Sequence, residues 1–303
     1  MKNIIKTEKG AIVAALICNI LWGSAYPGVK LGYAAFSVAA SDWQSQLLFA
    51  GLRFCLAGLA VLVISAAAGR SFPRIKRENI PNVLLLALIY TAVQYIFFYI
   101  GLAHTTGSNG SIVNSSTTFI AVIAAPFFYK DEKITLQKAL GCVLGFLGVL
   151  TAAAAGGHAG FSFVGEGFIF IAACCFVAGG LISRRASVYD RPISVTGWNM
   201  LLGGVILCAA GLLSGGRLSS LTPAGSAALL YLAFLSAAAF TLWNMLLKYR
   251  PLSSIAVYNF MIPVTGTLLS SLLLGEDIWR LKYLLALALV CAGIIITNRR
   301  TAK

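Results

Sequence analysis

The sequence predicts an all-α integral membrane protein: ten transmembrane helices as two inverted five-helix repeats, residues 1–155 and 156–303. Two observations predict the helices. Apolar stretches of membrane-crossing length fill almost the whole chain, which is 59% hydrophobic and 11% charged, with mean hydropathy +0.88. Backbone polar groups in hydrocarbon must be satisfied internally, so each stretch is a helix or part of a closed barrel. A barrel needs alternating segments of about ten residues. Runs such as Val83-Leu84-Leu85-Leu86-Ala87-Leu88-Ile89 do not alternate, so the stretches are helices. A third observation, an internal repeat, predicts their arrangement.

A crossing takes about 20 apolar residues. Stretches of that kind fall roughly at 11–30, 47–68, 81–103, 107–129, 135–155, 165–184, 192–214, 223–247, 253–275 and 279–298. The first continues into Tyr26-Pro27-Gly28-Val29-Lys30 rather than a small-residue cleavage site, so a retained helix is expected. Its Asn19, Trp22, Gly23, Tyr26 and Lys30 share one helical stripe. A polar stripe facing lipid is costly, so this one should face the bundle interior. Two roles stay open: interhelical hydrogen bonding, at about 0.6 kcal/mol per contact, and the wall of a cavity. Pro27 predicts a kink and a freed carbonyl.

The second span carries Arg53, the one clear charge inside a span. Counted from residue 47 it lies about six residues, or roughly 9 Å, inside the helix. Snorkelling outward or a structural pairing is therefore expected. An anion contact or a gate is the alternative. In the third span Tyr90, Gln94 and Phe98 recur every fourth residue, with Tyr95 and Tyr99 beside them. Ring faces suit the apolar part of an organic solute, and hydroxyls with an amide suit its polar part. Ordinary aromatic packing explains the same residues.

The fourth span opens on Thr105-Thr106-Gly107-Ser108-Asn109-Gly110-Ser111 and continues through Asn114-Ser115-Ser116-Thr117-Thr118. Its ninth-span counterpart has Tyr258, Asn259, Pro263 and Thr265. Asn114 and Asn259 read as repeat mates near opposite faces of the membrane. The Gly141, Gly145, Gly148 face of the fifth span suits close packing within the bundle or a homodimer contact. The candidate solute-binding residues are thus Asn19, Trp22, Tyr26, Tyr90, Gln94, Tyr95, Tyr99, Asn114, Tyr258 and Asn259.

The net charge of +14 is explained by position rather than by nucleic-acid binding. With a cytoplasmic N-terminus, 18 of the 23 Lys and Arg fall on inner segments. Four fall outside: Lys30, Arg217, Arg280 and Lys282. This positive-inside bias puts both termini in the cytoplasm of a cell that holds the protein in its plasma or inner membrane. The seven cysteines lie inside spans without CxxC spacing, and there are two histidines, so no metal, cofactor or disulfide framework is expected. The nine acidic residues fall in tails, loops or span ends, Glu166 coming nearest to a span. Coupling through a midplane carboxylate is therefore not expected, which favours facilitated diffusion or exchange.

The repeat shows at two links. Phe127-Phe128-Tyr129-Lys130-Asp131-Glu132-Lys133-Ile134 joins spans four and five, and Leu272-Leu273-Leu274-Gly275-Glu276-Asp277-Ile278-Trp279 joins nine and ten. Five spans per half is an odd number, so the halves insert with opposite orientation.

Four motifs in order carry a resemblance to a known family: Leu21-Trp22-Gly23-Ser24-Ala25-Tyr26-Pro27-Gly28-Val29-Lys30, Gly51-Leu52-Arg53-Phe54, Glu132 before the glycine-rich 141–148 helix, and Pro263 upstream of Glu276. The chain resembles the EamA-type carriers of the drug/metabolite transporter superfamily. The resemblance implies a ten-helix, five-plus-five inverted repeat that exports or exchanges small metabolites, often amino acids or drugs, and an alternating-access metabolite carrier is expected. The seventh span has Trp198-Asn199 where the second has Arg53, a departure that blurs the half-to-half alignment there. A solute channel is the rival reading, although no charged ring or filter-like glycine loop is evident. A membrane enzyme would rest on His104 and Ser108, with no orienting acid in sight. The expected partners are a small organic solute and the lipid bilayer; the oligomeric state stays open.

Overall fold

Apolar runs separated by short polar links form helices one after another. The computed structural model describes residues 7–69, 73–128, 134–155, 161–218, 222–249 and 256–298. The helices are α1 (Glu8–Ala35), α2 (Trp43–Gly69), α3 (Arg77–Ala103), α4 (Gly107–Asn114), α5 (Ser116–Phe128) and α6 (Leu136–Ala155). They continue with α7 (Phe163–Tyr189), α8 (Pro192–Leu213), α9 (Pro223–Tyr249), α10 (Met261–Leu274) and α11 (Leu281–Asn298). A 3₁₀ turn, Ala256–Phe260, leads into α10. Six helices, namely α1, α2, α3, α7, α8 and α9, are long and apolar enough to cross a membrane, and shorter apolar helices accompany them. No strand occurs among the described residues. The protein is an all-helical, multi-pass membrane protein. Glu132 and the basic residues 2, 6, 70, 130, 133, 250, 299, 300 and 303 lie outside the described residues.

Local chemistry sets the helix ends. Thr7 caps α1 by accepting from the Gly10 amide at 3.1 Å. Asp42 does the same for α2, accepting from the Ser45 amide at 3.0 Å. The Gln46 amide group donates to the Ala39 and Ala40 carbonyls, both at 3.0 Å. These contacts start α2 at Trp43, ahead of its apolar run. Arg53 therefore lies ten residues inside the helix, about 15 Å at 1.5 Å per residue. That depth, and an exposure of 1%, overturn the snorkelling expectation and leave the paired one.

Three irregularities shape the interior. A π turn, Ala87–Val93, interrupts α3, and another, Phe163–Gly167, opens α7. The fourth apolar stretch breaks at Ser115, which separates α4 from α5. The Ser115 hydroxyl there donates to the Ile112 carbonyl.

In lipid, helices are held chiefly by close van der Waals contact between small residues. α2 packs on α8 through Gly51, Gly58, Gly197, Gly204 and Gly211. A Cβ on Gly58 would collide with the backbone of Leu201 and Gly197, so only glycine allows this approach. α6 packs on α11 in the same way: a Cβ on Gly293 would collide with the Gly141 and Gly145 backbone. The glycine face of α6 is thus covered within the chain, the first of the two roles expected for it. α1 runs unbroken through Pro27 and packs on α9 and α10.

Candidate functional site

A cavity lies where α1, α2, α3, α4, α5, α7 and α10 meet. Its wall is made by Trp22, Ala25 and Tyr26 of α1, Arg53 of α2, Gln94, Tyr95 and Phe98 of α3, Asn114, Thr117, Phe176, Asn259 and Ile262. It holds about 560 Å³ of empty space, its open mouth included. Asn114 and Asn259, expected near opposite faces, both stand on this wall.

Aromatic packing fixes most of the wall. The Trp22 ring meets Phe176, Phe240 and Trp243 edge-on, with centroids 5.8, 5.4 and 5.2 Å away. Tyr26 stands edge-on to Phe98 at 5.5 Å, and Asn114 lines the same cavity. The Asn259 amide group donates to Thr118 Oγ1 at 3.3 Å. Three polar atoms of the wall are buried with no partner among the described residues: Trp22 Nε1, Gln94 Oε1 and Asn259 Oδ1. Such atoms are costly to leave unpaired. Gln94 directly follows the π turn of α3, and π turns recur at functional sites.

Arg53 is held from two sides. Its Nε donates to Ser236 Oγ at 2.8 Å, and its Nη1 donates to the Tyr99 hydroxyl at 2.9 Å. The guanidinium carbon also stands 5.0 Å from the Phe54 ring centroid and 5.9 Å from that of Tyr95. These partners are neutral.

Of the ten candidates read from the sequence, Trp22, Tyr26, Gln94, Tyr95, Asn114 and Asn259 line this cavity. Four sit elsewhere. Asn19 turns back on its own helix, donating to the Ala15 carbonyl at 2.8 Å. Tyr90 packs its ring on Phe176 and Phe240 at 5.2 and 5.6 Å. Tyr99 stands behind the wall as the acceptor for Arg53. Tyr258 packs beside the small α1–α9 cluster around Cys18 and Trp243. Sequence reasoning left Arg53 and Phe176 off the candidate set. Arg53 gives a signal, its charge, but a helix start counted from residue 47 places it too shallow. Phe176 sits in an unbroken apolar run that gives no signal.

A second polar centre lies in the turn between α3 and α4. Buried Glu166 accepts from Thr105 Oγ1, from the Asn109 amide group and from the Ser162 backbone amide. Glu276 accepts from the Gly107 and Ser108 amides at 2.7 and 2.8 Å and from Ser108 Oγ at 2.6 Å. His104 instead engages the Ile100 carbonyl at 2.9 Å, so the His104–Ser108 pair considered for catalysis is not assembled. Among the described residues no three His, Cys, Asp or Glu side chains cluster in a way that could hold a metal.

A multi-pass helical bundle around a buried cavity of aromatic and amide groups has the build of a membrane transporter. The model of the EamA-like transporter family matches residues 9–153 and again residues 163–299, and the chain belongs to that family. The chain is 26% identical to the uncharacterized transporter YvbV of Bacillus subtilis, over 99% of this chain and 95% of that one. It is 25% identical to the uncharacterized inner membrane transporter YedA of Escherichia coli, over 92% and 87% of the two chains. A solved crystal structure superposes with a TM-score of 0.68, covering 96% of each chain at 16% identity, a likeness of fold.

Proposed function

We propose that this protein is an alternating-access carrier of small organic solutes, working by facilitated diffusion, export or exchange. Residues 1–155 and 156–303 form its two inverted five-helix repeats, and both termini are cytoplasmic. The cavity carries this reading: its wall joins ring faces to polar atoms that have no partner among the described residues, and it is built from helices of both proposed halves. The packing pattern supports the repeat. Exchanging the halves maps α1 on α9 to α7 on α3, and α1 on α10 to α7 on α4 and α5. It leaves the α2–α8 and α6–α11 pairs in place. The family model's two successive matches agree with the same division. The bacterial inner membrane location given in the name of YedA supports a cell-membrane placement.

Counterflow in proteoliposomes tests the proposal. A carrier preloaded with unlabelled solute takes up labelled solute faster, and the rate saturates. Uptake that neither saturates nor responds to preloading would identify a channel and overturn the carrier reading.

A further inference from the structure

The walls of the cavity suit two opposite solutes. Trp22, Tyr95, Phe98 and Phe176 offer ring faces either to an apolar body or to an organic cation. The charge beside them decides. Arg53 brings a guanidinium cation to the wall, and it is 1% exposed. A guanidinium has five N–H donors. Ser236 Oγ and the Tyr99 hydroxyl take one each, and the other three, both on Nη2 included, have no partner among the described residues. No carboxylate there forms an ion pair with Arg53; the ion pair among the described residues joins Arg280 and Asp277 in the exposed link between α10 and α11. A buried charge without a counter-ion is expensive. Its geometry is nevertheless fixed: Ser236 Oγ, accepting from Nε, itself donates to the Leu232 carbonyl at 2.9 Å. The Tyr99 ring is wedged between Tyr33, Phe49 and Tyr95.

We infer that the cavity takes an organic anion, a carboxylate or sulfonate on a flat apolar body, whose acidic oxygens fill the free donors of Arg53. The body lies against Trp22, Phe98 and Phe176. This assignment rests on the proposed carrier reading of the cavity. Trp22 Nε1, Gln94 Oε1 and Asn259 Oδ1 accommodate one further donor or acceptor on the solute. An organic cation would meet the ring faces but also an uncompensated positive charge.

The test is calorimetric titration of the purified protein in phosphatidylcholine nanodiscs. The probes are phenylacetate, phenylacetamide and 2-phenylethylamine, similar in shape but different in charge. Phenylacetate should bind at least about tenfold more tightly than the other two. Arg53→Gln should erase that preference, and Arg53→Lys should keep part of it because the charge remains without the fork. Equal or better binding of the amide or amine overturns the assignment. So does no binding of phenylacetate or phenylmethanesulfonate up to about 10 mM. If Arg53→Gln does not fold, the wild-type ranking and the lysine variant decide. Exchanging part of the lipid for anionic phosphatidylglycerol should leave phenylacetate affinity unchanged; a loss would give Arg53 to a lipid headgroup instead. Arg53-dependent binding without counterflow keeps the anion site and removes the carrier reading. Counterflow of neutral or cationic solutes alone does the reverse.

Discussion

The Ser108 hydroxyl donates to the Glu276 carboxylate at 2.6 Å, and this bond ties the link between α10 and α11 to the first turn of α4. The same carboxylate takes the Gly107 and Ser108 amides, so a negative charge sits at a helix N-terminus, where the backbone dipoles favour it. Glu166 holds Thr105 and Asn109 of the same turn. Two carboxylates from the second proposed half thus grip one turn of the first, and a carrier must release such a grip whenever that side opens.

Glu276→Gln keeps one acceptor but removes the charge. It should weaken the grip by roughly 1–2 kcal/mol, about 5–30-fold in the open population. The readout is thiol labelling of Ser111→Cys, a buried position one turn deeper than Ser108, in a cysteine-free background. Labelling should speed up several-fold in the Gln variant. Equal rates in the two backgrounds would mean that Glu276 holds nothing closed.

Trp22→Ala and Gln94→Ala should each reduce transport by about tenfold or more, well beyond their effect on folded yield, because each removes a polar atom that has no partner among the described residues. Tyr99→Phe removes only the hydroxyl that steadies Arg53 and should weaken solute binding, whereas Tyr99→Ala also opens a void among Tyr33, Phe49 and Tyr95. Transport and folded protein falling in proportion would reduce these side chains to packing.

The helices were legible because hydropathy over a span is a local property. The position of Arg53 was not. Its depth depends on four polar or aromatic residues, Trp43 to Gln46, joining the helix once Asp42 and Gln46 satisfy the backbone around its start. The polar stripe of the first span was readable, and Trp22 and Tyr26 reach the cavity, but Asn19 spends its amide on Ala15 one turn back, a choice that spacing does not reveal. Phe176, and the reach of Ser108 to Glu276 across 168 residues, are products of tertiary packing that local sequence does not encode.

Helix packing gives a contrast within one residue type. Gly58→Ala places a methyl against the backbone of Leu201, and Gly204→Ala places one 2.6 Å from the Cys55 amide nitrogen. Each should cost about 1–3 kcal/mol. Gly180, in α7, has nothing within 4 Å of its would-be Cβ, so Gly180→Ala should be neutral or slightly stabilising. Thermal unfolding in detergent checks the order. Equal shifts at the three sites would show that the α2–α8 approach is not as tight as described.

Orientation follows from charge. Ser41→Cys, in the 31–46 link expected outside, should react with an impermeant thiol reagent on intact cells. Val188→Cys, which is 80% exposed near Arg184 and Arg185, should react only after permeabilisation. Ser71, in the basic link expected inside, lies outside the described residues. Labelling of both positions on intact cells would reject the cytoplasmic assignment of the termini.

Among the described residues the cavity wall contains no Asp, Glu or His, so these offer a driving proton no carboxylate or imidazole. A carrier built this way should let its solute run down its own electrochemical gradient. Phenylmethanesulfonate is a suitable probe, since it stays charged and does not cross the bilayer as a neutral acid. With the potential clamped at zero, an inward gradient of about one pH unit should leave the accumulation ratio near unity, although one coupled proton would supply about 1.4 kcal/mol and a tenfold accumulation. An inside-positive potential of about 60 mV carries similar energy per charge and should by itself draw in a monoanion about tenfold. Accumulation that follows the pH gradient and vanishes with an uncoupler would reject facilitated diffusion. The proton would then have to be sought at Glu166, whose carboxylate is buried against Thr105 and Asn109, or at His104 beside it.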